Sequence, residues 1–175
     1  MIEILRERRS IRKYKDIPIE AEKIELLKEA VLRSPSSRGI NPWVFIFVDD
    51  KDLLLKLSYA KEHGSSFLKD AVLGVVVMGD ETRSDCWVED CSIASIILQL
   101  VAQSLGLGSC WIQIRNRMHS KEKTAEDYVR ELLSIPSNLR VLSIISIGYP
   151  AERKRKVKLE ELEHEKIYRN RFGER

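Results

Sequence analysis

The chain has 175 residues, of which 43% are hydrophobic and 33% are charged. That balance excludes a disordered chain, because the apolar residues suffice for a core and the charged residues suffice to cover it. Thirty basic and 27 acidic residues leave a net charge of +3, which excludes a surface that is basic throughout and restricts anion binding to local clusters. The length is typical of one domain, so we predict a single domain over 1–175.

Cysteine usage and the N-terminal sequence favour a cytoplasmic protein. Cys86, Cys91 and Cys110 show no disulfide-framework spacing, which favours free thiols in a reducing compartment. Charged residues begin at Glu3, so the start lacks the apolar core of a signal peptide. The most apolar stretch, 91–107, contains several serines and glutamines, so we expect a buried helix there and no membrane span.

The first half of the chain alternates between helix and strand patterns. Apolar spacing and turn residues predict helices at 2–9, from Pro18 to Ser34 and over 51–60, with strands at 43–48 and 71–78. Asp49 and Asp50 follow the first strand and provide an N-cap for the next helix. Both strands are short, uninterrupted apolar runs, which are typical of buried strands, and we expect the second to have parallel or mixed neighbours.

The second half contains a long helix, at about 85–105, that is apolar around nearly its whole circumference. Gly106 follows at the position where helices end in a left-handed residue. A helix apolar on most sides in so short a chain indicates that a second subunit covers part of it. The remaining elements are a strand at 109–112, a helix that begins at Thr124 with capping-box spacing to Asp127, and a strand at 139–147.

These elements predict an α+β (α/β three-layer) fold, in which a mixed central sheet is flanked by helices. The tail at 151–175 differs from the rest, because it holds nine basic and six acidic residues and few apolar ones. A segment of that composition has little with which to anchor itself to its own chain. We therefore expect the tail to extend over a partner subunit.

Several chemical motifs are absent. Gly106 and Gly108 resemble the start of a dinucleotide fingerprint, but Trp111 replaces its third glycine and the segment follows a helix, so a Rossmann site is rejected. The three histidines have no ligand spacing to the cysteines, so we expect no metal. No nucleophile elbow occurs, and we name no catalytic side chain.

Basic residues form two clusters, at 6–15 and 153–158, at opposite ends of the chain. The planar forks of arginines and the hydroxyl of Ser10 suit a phosphate dianion, although either cluster alone is more often a solvated face than a site. The loop at 34–43 is stiffened by prolines, and Asn41 offers a donor and an acceptor to the edge of a heterocycle. The alternative for this loop is an ordinary connection between helix and strand.

Five motifs in order resemble the nitroreductase family of flavoproteins. They are RRSIRKY at 8–14, PSS at 35–37, NPW at 41–43, LGLGSCWI at 105–112 and GYP at 148–150. The resemblance spans nearly the whole chain and implies an FMN-dependent nitroreductase-like fold. It also implies a homodimer with two FMN sites at the subunit interface, each formed by both chains.

The resemblance assigns FMN-binding roles to the first basic cluster. Arg8 and Ser10 would contact the phosphate, Arg9 would lie beside the ribityl chain, and Arg12 would face the N1/O2 edge of the ring. Reduced flavin carries negative charge at that edge, so a fixed cation there favours reduction. Lys154 and Lys156 match the family's second pair of phosphate-binding cations.

The other implied contacts concern the flavin ring. Pro35, Ser36 and Ser37, with Asn41 in the same loop, would come from the other subunit and lie against the ring. The backbone at Ile112 and Gln113 would approach N5, where hydride enters the flavin. Gly39 and Asn41 stand where the family more often has Asn and Gln.

The resemblance implies an oxidoreductase that takes hydride from NAD(P)H and reduces a flat, electron-poor acceptor such as a nitroaromatic, a quinone or a flavin. One pocket would serve both substrates in ping-pong order. Alternatives are a flavin-scaffold enzyme of another specificity and a non-catalytic flavin-binding or redox-sensing dimer. A nucleic-acid-binding module is disfavoured, because no aromatic residues interleave the basic runs.

Overall fold

The centre of the computed structural model, which describes residues 1–174, is a four-stranded antiparallel sheet with the order β1-β2-β4-β3. The strands are β1 (Trp43–Val48), β2 (Leu73–Asp80), β3 (Gly108–Gln113) and β4 (Leu139–Gly148). Each was expected within about two residues of its observed bounds. The sheet and its helices confirm the α+β class.

Within the described residues, five α-helices surround the sheet: α1 (Ile2–Glu7), α2 (Ala21–Leu32), α3 (Lys51–Leu57), α4 (Trp87–Ser104) and α5 (Ala125–Leu133). The predicted caps are present. The Asp50 carboxylate accepts a hydrogen bond from the Leu53 N–H, and the Thr124 hydroxyl oxygen accepts one from the Asp127 N–H. Gly106 follows α4 with φ +76°, as its position after the helix predicted.

The direction of strand pairing differs from the prediction. Both neighbours of β2 are antiparallel to it, and parallel pairing within residues 1–174 occurs at the isolated bridge between Ser10 and Ser109. An uninterrupted apolar run indicates that a strand is covered on both faces, and helices on both sides achieve this for an antiparallel strand as well. β1 was expected to be buried but is an edge strand, where Val48 alone is buried.

Two apolar layers enclose the sheet. One lies between the sheet and α3 and α5, with Leu54 and Val129 fully buried, and the other lies between the sheet and α2 and α4, with Leu27 and Leu98 fully buried. Alternate residues of β2 contribute to each layer. β1 and β3 form the two edges of the sheet, and the segment that contains Ser10 pairs with the β3 edge.

The outward side of α4 is apolar and uncovered within the chain. Ile93 and Ile96 are 38% and 39% exposed, although the opposite side of the helix is buried in the core. Ile2 and Leu5 of α1 are exposed as well. The tail from 151 to 174 contributes no buried residue. No helix in residues 1–174 has the length and apolar character to cross a bilayer.

Candidate functional site

The segment 8–14 runs along the open edge of the sheet and fixes the first basic cluster. The Ile11 N–H donates to the Ser109 carbonyl at 3.0 Å, and the Ala151 N–H donates to the Lys13 carbonyl at 2.8 Å. Ile11 and Tyr14 are buried, whereas Arg12 and Lys13 between them are exposed. The backbone pairing therefore holds the arginines at a defined position on the sheet.

Tyr14 anchors the end of this segment. Its hydroxyl donates to the Ile11 carbonyl at 2.5 Å and shares a hydrogen bond of 2.7 Å with the Ser146 hydroxyl. Burial raises the pKa of Tyr14, so the phenol stays neutral and remains a donor. The Tyr14 ring packs on Gly148, where an added Cβ would lie 3.0 Å from the ring.

Gly108 permits the close approach of the same segment to β3. A Cβ at this position would lie 2.8 Å from the Ile11 Cβ. We therefore expect Gly108→Ala to lower the free energy of unfolding by about 1–3 kcal/mol through overpacking, as measured by urea denaturation. The control is Gly106→Asn, because no atom lies within 4 Å of its added Cβ and Asn tolerates its positive φ. Equal stability of Gly108→Ala and the native chain would contradict the close approach.

The two basic clusters, far apart in sequence, lie together. The Arg9 guanidinium donates to the Arg155 carbonyl, and the Arg12 N–H donates to a Glu152 carboxylate oxygen at 2.7 Å. Lys154 pairs with the same carboxylate at 2.7 Å. Hydrogen bonds from Lys154 and from the Arg12 backbone hold the pKa of Glu152 below its usual range.

Lys156 belongs to the same junction. Its ammonium pairs with Glu7 at 2.9 Å, so the segment after β4 crosses the end of α1. A cavity of about 140 Å³ lies at this junction and is lined by Arg9, Lys154 and Gly108, among others. The structure thus brings together Arg9, Lys154 and Lys156. The sequence analysis had assigned all three residues to contacts with the same phosphate-bearing ligand.

A buried thiol lies beneath the first basic cluster and was missed by the sequence analysis. Burial raises the pKa of Cys110, whereas the nearby Arg12, Arg8 and Lys61 cations and a hydrogen bond with Ser10 act in the opposite direction. The period of two in β3 directs Cys110 to the same face as Ile112, but nothing in the local sequence indicates which distant cations lie there. Arg8, Ser10 and Arg12 thus all act on the same thiol.

The loop at 35–41 has its own internal structure. The Ser36 hydroxyl donates to the Asn41 side-chain carbonyl at 2.7 Å and accepts from the Asn41 N–H at 2.8 Å. Asn41 has φ 51°, a left-handed conformation that asparagine tolerates better than most residues. The Ser37 N–H donates at 2.7 Å to Asp90, a buried carboxylate on α4 that the sequence analysis missed. Pro35 is exposed at the start of the loop.

Within one chain this loop does not join the basic clusters. Its further hydrogen bonds run from Arg38 to Asp85 and from Arg83 to the Ile40 carbonyl, all near the start of α4. The predicted site is therefore divided into two parts in the chain. One part contains the basic clusters at the edge of β3, and the other is the loop.

Ile112 and Gln113 end the edge strand β3. Ile112 is fully buried, and the Gln113 side chain is occupied, because it accepts from the Trp111 indole and donates to the Arg115 carbonyl at 2.9 Å each. Beyond the bridge at Ser109, the outer backbone edge of β3 has no strand partner in the part of the chain that the structure describes. Ile112 is not exposed along this edge, whereas Gln113 is half-buried and has some surface that a ligand can reach.

Known proteins share this arrangement of elements. The Nitroreductase family model matches residues 5–63 and 53–149. A relative from Archaeoglobus fulgidus, named for NADH dehydrogenase and NAD(P)H nitroreductase activities, is 40% identical over 84% of this chain and 83% of its own. One from Methanothermobacter thermautotrophicus, named in the same way, is 37% identical over 87% of this chain and 78% of its own. A solved structure from Clostridium difficile R20291, described as an FMN-dependent nitroreductase, is 47% identical, with a TM-score of 0.97 over 98% of this chain and 100% of that one.

Proposed function

Because this chain belongs to the nitroreductase family, we propose that it is an NAD(P)H-dependent oxidoreductase with FMN as its cofactor. The acceptor is a flat, electron-poor molecule such as a nitroaromatic, a quinone or a flavin. The observation that carries the proposal is the junction of the two basic clusters at the open edge of β3.

The residues at this junction fit a flavin mononucleotide. Arginine and lysine side chains with a serine hydroxyl are the donors that a phosphate dianion requires, and they meet in one place although they come from both ends of the chain. Arg8 and Ser10, with Lys154 and Lys156, would hold the phosphate, and Arg9 would lie beside the ribityl chain. Within the chain, Glu152 pairs with Lys154 and Glu7 pairs with Lys156.

On the ring side, the proposal relies on Arg12 and on the end of β3. Arg12 lies with its guanidinium 5.7 Å from the centre of the Phe67 ring and has no carboxylate partner for its side chain in residues 1–174. It would face the N1/O2 edge, and the backbone of Ile112 and Gln113 would face N5. FMN, when bound, supplies the hydride-accepting ring, so no side chain of this chain needs to act as a nucleophile or a general base.

The proposed enzyme is a homodimer in which each site uses both chains. The loop at 35–41 lies apart from the basic clusters of its own chain, so it would cover the flavin bound to the other one. The exposed Ile93 and Ile96 of α4 supply an apolar interface. Each chain forms a single domain, and its tail at 151–175 extends over the partner subunit. We propose a cytoplasmic location, in keeping with the three free cysteines.

The decisive experiment identifies the cofactor and then its reduction. Reverse-phase chromatography of the released cofactor should yield FMN, one per chain. Anaerobic stopped-flow mixing with NADH or NADPH should bleach the flavin absorbance, and subsequent mixing with menadione or a nitroaromatic should restore it, as expected for ping-pong turnover. Release of FAD, or no binding of FMN on reconstitution, would contradict the cofactor assignment. Bound FMN that neither donor reduces would indicate a flavin carrier.

Arg12 provides a test of the ring-edge assignment. We expect Arg12→Ala to lower the reduction potential of the bound flavin, because a cation beside N1 and O2 stabilises the reduced anion selectively. FMN retention should fall less than in Arg8→Ala, since a phosphate contact is indifferent to the redox state. Spectroelectrochemistry measures the potential, with exposed Lys13→Ala as the matched control in the same segment. Equal potentials in Arg12→Ala and the native enzyme would refute the assignment.

A further inference from the structure

Asp90 is a buried carboxylate that the proposed flavin chemistry does not use. It lies in the first turn of α4 with 2% of its surface exposed, and one of its oxygens accepts the Ser37 N–H at 2.7 Å. The other oxygen is shielded from solvent and has no hydrogen-bond partner in residues 1–174. Burial of a carboxylate with so few donors destabilises a fold, so packing of the core alone does not account for an aspartate at this position.

The contact with Asp90 is the strongest of those that join the loop at 35–41 to its surroundings. The hydrogen bonds made by the Arg38 side chain and by the Ile40 carbonyl lie in solvent, where such contacts contribute little. The Ser37 N–H donates to a carboxylate that is removed from water, and a hydrogen bond to a charged group is stronger there. Asp90 therefore does most to hold the loop on α4.

The loop changes direction at this hydrogen bond. Ser36 is extended, with φ −140° and ψ 158°, and Ser37 begins a short 3₁₀ turn that ends at Gly39. The first N–H groups of a helical turn have no acceptor within the turn, so the Ser37 N–H needs one from outside. The Asp90 carboxylate supplies that acceptor from a different element. One hydrogen bond thus fixes where the turn begins and how the segment 35–37 is placed relative to α4.

We propose that Asp90 is a positioning residue of the flavin site. Its carboxylate holds the loop at 35–41 against α4, so that the segment 35–37 covers the flavin bound to the partner subunit. This inference rests on the proposed function, which supplies the identity of the covered group. The exposed Ile93 follows Asp90 by about one helical turn, so the helix that supplies the proposed dimer interface also fixes the loop that reaches across it.

The hydrogen bond can be broken from either side. Asp90→Ala removes the acceptor, whereas Asp90→Asn keeps an acceptor oxygen without the charge. Ser37→Pro removes the donor, and the backbone suits it, because Ser36 is extended and proline is favoured at the first position of a helical turn. Ser37→Ala is its control, since it keeps the N–H and loses only the hydroxyl. The control for Asp90→Ala is Glu89→Ala, because Glu89 is an exposed acidic residue in the same turn of α4.

Limited trypsin cleavage reports the loop in the protein without added FMN. Arg38 is exposed in the 3₁₀ turn, and mass spectrometry of peptides that end at Arg38 measures how often the loop leaves α4. We expect Asp90→Ala and Ser37→Pro to raise this cleavage rate by about tenfold, the scale of one lost hydrogen bond to a charged group. Asp90→Asn should lie between Asp90→Ala and the native chain, because a neutral acceptor is weaker.

Two controls separate a moved loop from a loosened protein. Ser37→Ala and Glu89→Ala should cleave after Arg38 within about twofold of the native rate, and cleavage after the exposed Lys121, far from the loop in sequence, should be unchanged in every variant. A native rate of cleavage after Arg38 in Asp90→Ala or in Ser37→Pro would overturn the inference. An equal rise after Lys121 would also overturn it, because Asp90 would then stabilise the whole fold.

The second measurement tests what the loop covers. Addition of FMN should slow cleavage after Arg38 in the native protein, and Asp90→Ala should release bound FMN about tenfold faster on dilution, as followed by recovery of flavin fluorescence. Native release of FMN from an Asp90→Ala chain whose loop has moved would overturn the role at the flavin. If the native protein binds no FMN, the proposed function fails, and the cleavage rates still decide whether Asp90 holds the loop.

Discussion

Replacing Arg8 by alanine is expected to raise the Kd for FMN by about 10- to 100-fold, which corresponds to about 1.5–3 kcal/mol for a hydrogen bond to a charged group. Arg8 is half-buried and lies two residues before Ser10, whose bridge to Ser109 fixes the backbone of this segment on the sheet edge. Its side chain has no carboxylate partner in residues 1–174 that would compete for the phosphate.

The measurement is a titration of the apoprotein with FMN, followed by quenching of flavin fluorescence. Arg6→Ala is the matched control, because Arg6 is an exposed arginine two residues away whose partner is Glu3 in the same helix. Arg8→Lys should lie between the native chain and Arg8→Ala, since it keeps the charge but loses the planar fork. An unchanged Kd for Arg8→Ala would show that the first basic cluster is a solvated face.

The sheet was predictable because its burial leaves a strong local signal. β2 is fully covered on both faces, and its run of apolar residues indicates a strand whatever the neighbours are. Whether those neighbouring strands run parallel or antiparallel to β2 was not predictable. The apolar content of a strand indicates how many of its faces are covered, but it contains no information about the direction of the adjacent strands. The aromatic run of β1 suggested burial, but the strand lies at an edge and its aromatic residues are only half-buried.

The candidate site was predictable only through the resemblance. Each basic cluster is ordinary by itself, and no periodicity indicates that Arg9 contacts the carbonyl of Arg155 across most of the chain. The place of Cys110 was missed for the same reason, because the cations that act on its thiol lie on other segments of the chain. Asp90 was missed because a carboxylate within an apolar helix reveals no partner until the loop that donates to it is in place.

The second large effect is expected at α4. Replacing Ile96 by aspartate should weaken the proposed dimer by more than 100-fold, because an unpaired buried charge costs about 3–5 kcal/mol. The exposed fraction of Ile96 is 39% in the single chain, and the opposite side of α4 is buried in the core, so the substitution leaves the core of the chain intact. Leu55→Asp on α3 is the matched control, since Leu55 is exposed to a similar extent, 42%, on the other side of the sheet.

Sedimentation velocity over two decades of protein concentration measures the association, and ultrafiltration measures the FMN that remains bound. Because each flavin would be covered by the loop at 35–41 of the other chain, Ile96→Asp should release FMN together with the partner, whereas Leu55→Asp should retain both. The Tm of the native protein should rise with protein concentration, through mass action, and that dependence should disappear in Ile96→Asp. A monomeric Ile96→Asp that holds FMN as tightly as the native protein would show that one chain completes the site. In that case the loop at 35–41 would have no role at the partner's flavin.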